Sequence, residues 1–151
     1  LEGNEGDDIL EGNDGDDCLF GGEGNDILLG GEGDDYIAGG EDDGTFTLTW
    51  ADMDDDDDDN ETAELEDVEV EGGDELTGGD GADVFLFAED SGVDHIYDFD
   101  IGEDILALEE DAEYQVASFE GNTYVDINDG SGLIILHGVD ATEDDINFAT
   151  V

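Results

Sequence analysis

The chain has 151 residues, of which 51 are Asp or Glu and none is Lys or Arg, for a formal net charge of −51. Without basic residues it has no ordinary means of neutralising nucleic-acid phosphates or docking on an anionic membrane, and no apolar run approaches the length of a bilayer span. Two carboxylates about 6 Å apart repel by roughly 0.7 kcal/mol even in water, so a compact state of this chain requires imported cations.

Residues 1–44 repeat every nine residues. Position one falls on Gly3, Gly12, Gly21, Gly30 and Gly39, and position six on Asp8, Asp17, Asp26 and Asp35, with Gly44 where a fifth aspartate belongs. Position eight carries Leu10, Leu19, Leu28, Ile37 and Phe46, an apolar ladder if the units stack. Each unit reads as a turn followed by a short strand. Such a strand cannot bury a face by itself, so the units have to coil and cover one another, as in solenoids. This regularity separates the chain from disorder, the ordinary reading of so acidic a composition. Cys18 is the single cysteine, which excludes an internal disulfide. It shares position seven with Ile9, Ile27 and Tyr36 and is expected to be a small packed hydrophobe.

Stacking lines the turn aspartates into columns. A merely solvated acidic face would let Asp and Glu interchange. Position three does so, through Glu5, Asp14, Glu23, Glu32 and Asp80, whereas position six is Asp in all four early units and at Asp74 and Asp83. Columns of carboxylates beside turn carbonyls are hard oxygen cages suited to Ca²⁺. The expected metal sites are therefore Asp8, Asp17, Asp26, Asp35, Asp74 and Asp83, with the turn backbone of Gly3, Gly6, Gly12, Gly15, Gly21, Gly24, Gly30 and Gly33.

Residues 45–71 interrupt the repeat. TFTLTW (45–50) and ELEDVEV (64–70) alternate as half-buried strands do, and the acidic run Asp54–Asp59 between them reads as a solvated hairpin tip. The repeat resumes over 72–86, with Gly72, Gly73 and Asp74 and then the full unit GGDGADVFL. The step from Gly39 to Gly78 is not a multiple of nine, so the insertion resets the register. From Val84 onward longer strands appear (VFLFAE, DILALEE, YQVASFE, TYVDIND, GLIILHG), read as an antiparallel cap over 87–151. DATEDDINF near the end reads as one helical turn capped by Asp140 or Thr142, then a last strand.

The units GGEGNDILL and GGEGDDYIA match G-G-x-G-x-D-x-U-x at every defined position, and GNEGDDILE and GNDGDDCLF place Asn at the second glycine. This resembles the repeat of the RTX (repeats-in-toxin) calcium-binding proteins. GVDHIYDFDIGEDILAL (92–108) is similar to the stretch that follows the roll in serralysin-type members. The resemblance implies an all-β fold: a parallel β-roll with two nonapeptides per coil, followed by a small antiparallel C-terminal region. It also implies that Asp8 shares a Ca²⁺ with Asp26, and Asp17 with Asp35. In DFDIGED, Asp98, Asp100 and Asp104 flank a Gly turn closely enough to converge on one cation, and the family carries a calcium there.

Catalytic patterns are missing from the sequence. His95 and His137 have no Cys or second His at ligand spacing and are expected to be packing or surface residues, no HExxH occurs, and Ser91, Ser118 and Ser131 lack a nucleophile-elbow context. With 51 acidic residues, paired carboxylates carry no information about hydrolysis. The chain is thus expected not to be an enzyme. LEGNEGDDIL contains neither Met nor a charged n-region, so it is not read as a Sec signal. The family resemblance implies export through the type I secretion machinery of a Gram-negative bacterium, a C-terminal signal ending INFATV, and an extracellular or cell-surface location. The partners expected are calcium and that machinery, with no nucleic acid and no anionic membrane. A second expectation is a self-assembling extracellular protein, in which calcium bridges stacked coils of successive chains into a homo-polymer.

Overall fold

The computed structural model describes residues 1–42, 44–50, 65–88, 91–128 and 130–151; Asp54–Asp59 lie outside the described residues. Each early nonapeptide supplies one strand: β1 (Glu2–Glu5), β2 (Ile9–Asp14), β3 (Cys18–Glu23), β4 (Ile27–Glu32) and β5 (Tyr36–Glu41). The insertion contributes β6 (Thr45–Trp50) and β7 (Leu65–Glu71). Then follow β8 (Asp74–Asp80), β9 (Val84–Phe87), β10 (Gly92–Ile96), β11 (Ile105–Leu108), β12 (Tyr114–Phe119), β13 (Asn122–Ile127), β14 (Gly132–Leu136), a 3-10 turn (Glu143–Asp145) and β15 (Phe148–Thr150).

Consecutive repeats alternate between two sheets, because a three-residue turn reverses the chain before each early strand. One sheet has the order β1-β3-β5-β9-β11-β15 and is parallel throughout. The other runs β2-β4-β8-β10-β14 in parallel, then β13 and β12 in antiparallel fashion. This is a parallel β-roll with a small antiparallel extension, as expected. The extension is narrower than the 87–151 stretch: β10, β11, β14 and β15 continue the parallel ladders. Among the described residues of that stretch, only β12, β13 and β14 are joined in antiparallel fashion, because short turns link them and leave no length for a crossover.

Position eight points between the sheets. Leu10, Leu19, Leu28 and Ile37 are buried there, and Leu76, Phe85, Ile96, Leu106 and Leu136 extend the stack, each fully buried side chain contributing roughly 1.5–3 kcal/mol. Phe46 does not continue that ladder, contrary to its place in the repeat. Leu76 pairs with Leu28 and Phe85 with Ile37, so the next rungs are already filled, and Phe46 goes with the hairpin. The β6–β7 hairpin is antiparallel. Phe46, Leu48, Val68 and Val70 pack on a second apolar cluster of Leu65, Val93, Ala117, Tyr124, Leu133 and Ile135. Cys18 is also corrected: it is exposed rather than packed. Position seven faces outward wherever position eight faces inward, since adjacent strand residues point to opposite faces.

The insertion leaves the roll in register. Stacked position-six residues are 18 apart in the first coils and 48 apart across the insertion, on both sides of the roll. The coil opened at Gly39 is completed by Asp74, which lies against the Gly39 α-carbon where Asp26 lies against that of Gly21. Gly44 therefore lacks an aspartate because Asp74 supplies it.

Candidate metal centre

Two columns of aspartates run along the turns. One holds Asp8, Asp26, Asp74 and Asp94, and the other Asp17, Asp35, Asp83 and Asp104. The backbone N–H of Asp8 donates to Asp26 Oδ1 at 2.8 Å, and that of Asp26 to Asp74 Oδ1 at 2.6 Å. In the second column Asp17 donates to Asp35 Oδ1 and Asp35 to Asp83 Oδ1, both at 2.8 Å, and Asp83 to Asp104 Oδ1 at 3.0 Å. Asp94 is the register partner of Asp74. The predicted pairs Asp8 with Asp26 and Asp17 with Asp35 are thus brought together, through backbone and carboxylate. Burial deepens along each column: Asp8 and Asp17 are half-buried, whereas Asp26, Asp35, Asp74, Asp83, Asp94 and Asp104 are buried.

In Asp26, Asp35, Asp74 and Asp83 Oδ1 accepts the N–H of the coil before and Oδ2 is left over, whereas neither oxygen of Asp94 has a hydrogen-bond partner and both oxygens of Asp104 accept one. Oδ2 of Asp26, Asp35, Asp74 and Asp83 is buried without a hydrogen-bond partner. The position-one glycines show what faces it. At Gly3 a Cβ would lie 2.8 Å from Asp8 Oδ2 and 2.5 Å from the Gly21 carbonyl of the next coil. Gly12 stands likewise between Asp17 Oδ2 and the Gly30 carbonyl, Gly21 between Asp26 Oδ2 and the Gly39 carbonyl, and Gly30 between Asp35 Oδ2 and the Gly78 carbonyl. A carboxylate oxygen, fully buried at Asp26 and Asp35, and a carbonyl oxygen thus share a space that only glycine leaves open. Both are acceptors, so a cation or a hydrogen donor has to satisfy them.

The electrostatics agree. Burial raises the carboxyls of Asp26, Asp35 and Asp104 above the ordinary range. It also pushes Asp74 up to about 7 and Asp83 to about 6, with neighbouring carboxylates adding to the rise. Asp94 is raised well above the ordinary value by complete burial and then by the charges of Asp74 and Asp42. Asp74 and Asp83 therefore take up a proton near neutral to mildly acidic pH unless a cation replaces it. Among the described residues, no three His, Cys, Asp or Glu side chains converge as a ready cage. An ion in these columns would draw on backbone carbonyls for most of its coordination, which suits Ca²⁺ with its six to eight oxygen ligands.

The position-four glycines Gly6, Gly15, Gly24 and Gly33 have φ of 103°, 104°, 126° and 131°. Their amides donate to the carbonyls of Glu23, Glu32, Glu41 and Asp80 in the next coil. In DFDIGED, Asp98 accepts the N–H groups of Gly78 and Gly79 at 3.0 and 2.8 Å, and Asp104 Oδ2 accepts that of Asp100 at 2.7 Å. Asp98 and Asp104 thereby both meet the resumed repeat, Asp98 at Gly78 and Gly79 and Asp104 at Asp83; Asp98 and Asp100 are exposed and Asp104 is buried.

Two features escape the sequence reading. Position five forms its own ladder, in the opposite sense to position six. Asp7 Oδ1 accepts from Asn25 N–H, Asp16 Oδ1 from Asp34 N–H, Asn25 Oδ1 from Gly73 N–H and Asp34 Oδ1 from Ala82 N–H, at 2.8–3.1 Å. The pattern was visible, since position five is Asp or Asn in all four early units. Asp94 and Asp104 occupy position six of further coils, but no glycine repeat precedes them to reveal it. Asp42 adds a third carboxylate near Asp74 and Asp94 and accepts the Val93 N–H at 2.8 Å.

Comparison with known proteins agrees with this geometry. The family model for the RTX calcium-binding nonapeptide repeat (4 copies) matches residues 1–28, 19–46 and 71–93. No curated protein sequence matches the chain. Among solved structures, the AlgE6R3 subunit of the Azotobacter vinelandii mannuronan C5-epimerase is similar, at 25% identity and a TM-score of 0.57, over 95% of this chain and 79% of that one. The extracellular lipase LipA of Serratia marcescens aligns at 16% identity and a TM-score of 0.39, over 99% of this chain and 39% of the lipase. Residues 1–46 and 71–93 therefore match the RTX calcium-binding nonapeptide repeat, and the fold that holds them is a β-roll.

Proposed function

We propose that this chain is a non-catalytic module whose folding is driven by Ca²⁺ after export from a Gram-negative bacterium through a type I secretion channel. The reading rests on one observation: buried aspartate oxygens without partners recur in register beside the carbonyls of the next coil. In a chain of net charge −51, each ion bound there compensates charge and bridges two coils at once, so binding energy becomes folding energy. Extracellular modules bind Ca²⁺ at roughly 10⁻⁴ to 10⁻³ M, which leaves the chain loose in calcium-poor cytosol and folds it outside.

Calcium titration followed by circular dichroism tests this. The β-sheet signal is expected to rise cooperatively in the sub-millimolar to millimolar range and to collapse with chelator; a signal indifferent to chelation overturns the reading. Calcium-bridged assembly of chains end to end has an obstacle. Asn4 and Asn13 carry side chains at the position where Gly22, Gly31 and Gly79 each lie against the backbone of the coil before. Light scattering on the same sample would show polymer if assembly occurred.

A further inference from the structure

The two histidines, the only side chains able to become cationic, lie 42 residues apart in sequence and touch in the structure. Parallel pairing of β10 with β14 sets Ile96 opposite Leu136, and the His137 N–H donates to the Ile96 carbonyl at 2.9 Å. His95 Nδ1 and His137 Nε2 are then 2.9 Å apart. The other nitrogen of His95, Nε2, is 3.2 Å from the Gly72 carbonyl. A carbonyl only accepts, so His95 carries its hydrogen on Nε2 and presents the Nδ1 lone pair to His137. A ring N–H held by a backbone carbonyl, with the lone pair of the opposite nitrogen thereby aimed, is how proteins orient imidazole ligands.

The surroundings favour a cation. Tyr97 stacks on His137 with ring centroids 4.5 Å apart and an interplanar angle of 9°, and the two imidazoles are themselves tilted by only 19°, so both rings are held. Glu75, exposed on β8, is the register partner of His95, and its charge acts on His137 and Tyr97. Burial and the neighbouring His95 lower the basicity of His137, which keeps a lone pair available. Two nitrogens bound to one ion at about 2.0–2.1 Å and at right angles are about 2.9 Å apart, the spacing of neighbouring ligands in a tetragonal site.

We infer that His95 Nδ1 and His137 Nε2 form a two-imidazole site for a divalent transition-metal ion, Cu²⁺ foremost, chemically separate from the oxygen-lined Ca²⁺ columns. His137 ligates by moving its hydrogen from Nε2 to Nδ1, so both rings stay neutral and no net proton is released. Among the described residues no third His, Cys, Asp or Glu side chain converges on the pair, so water and, after a rotamer change, the Glu75 carboxylate complete the coordination. The site ties β10 to β14, where the parallel roll meets its antiparallel extension.

Electron paramagnetic resonance of the full chain, saturated with Ca²⁺ and given one equivalent of Cu²⁺, tests the inference. Superhyperfine coupling to two imidazole nitrogens is expected. His95→Gln and His137→Gln should each leave one nitrogen and weaken Cu²⁺ binding by about tenfold or more, with the calcium-induced β signal unchanged. If a variant fails to fold, the parent chain still decides: bound Cu²⁺ should protect both histidines from imidazole-directed acylation. A spectrum of oxygen ligands alone, folded variants that bind as the parent does, or histidines left unprotected would overturn the site.

Discussion

Glycine does two jobs in these turns, and they can be separated. Gly6 and Gly24 share position four and a positive φ, 103° and 126°. A Cβ on Gly6 meets nothing within 4 Å, whereas one on Gly24 would lie 2.7 Å from the Gly6 carbonyl carbon. Gly6→Ala is expected to cost only the backbone strain, about 1 kcal/mol. Gly24→Ala should cost about 1–3 kcal/mol more, from coil-to-coil overpacking. Denaturant melts of the two variants in saturating Ca²⁺ check this, and equal losses would refute close coil contact at Gly24. At Asp26, Asp35, Asp74 and Asp83 the same closeness leaves Oδ2 buried without a hydrogen-bond partner.

At the scale of elements, the β6–β7 hairpin is a structural lid rather than a bare acidic loop. Its strands put Phe46, Leu48, Val68 and Val70 onto Val93, Tyr124, Leu133 and Ile135, closing the outer face of the second sheet where the parallel and antiparallel parts join. Phe46→Ser is expected to lower stability by about 1–2 kcal/mol and to raise binding of a hydrophobic dye; a variant with parent melting temperature and dye binding would show that the lid is dispensable. The final helical turn is held by Asp145, which accepts both the N–H and the hydroxyl of Thr142, at 2.9 and 2.7 Å. Thr142, of the two caps the sequence allowed, is the one used.

Over the whole molecule, charge decides the conditions under which the roll exists. With chelator present, Asp74 and Asp83 are raised in the folded state to about 7 and about 6, against about 3.9 for an unfolded Asp. Groups raised on folding contribute stability that is complete below the unfolded value and is lost as pH rises through the folded one. The calcium-free chain should therefore gain β structure on acidification from about pH 7.5 to about pH 5, with the loss on raising pH centred between about 6 and 7. In limiting Ca²⁺ the effect on binding has the opposite sign, since protons compete for the same oxygens. Circular dichroism in chelator at both pH values checks the first statement, and less structure at the lower pH would contradict it.

Period, turn chemistry and charge are local properties, so they were legible along the chain. The nine-residue spacing of glycine and Asp8, Asp17, Asp26 and Asp35, the inward row of Leu10, Leu19, Leu28 and Ile37, and the uncompensated negative charge follow from residue order alone. Registers between distant segments were not legible, because pairing across an insertion depends on which apolar rungs remain open once the coils stack. Only the tertiary structure joined Asp74 to the coil begun at Gly39, carried the aspartate columns on to Asp94 and Asp104, sent Phe46 to the lid, and set His95 beside His137. The physical reason is that a parallel ladder brings together residues whose separation in sequence is fixed by whole coils and by what loops out between them, and a spacing rule read along one strand contains neither.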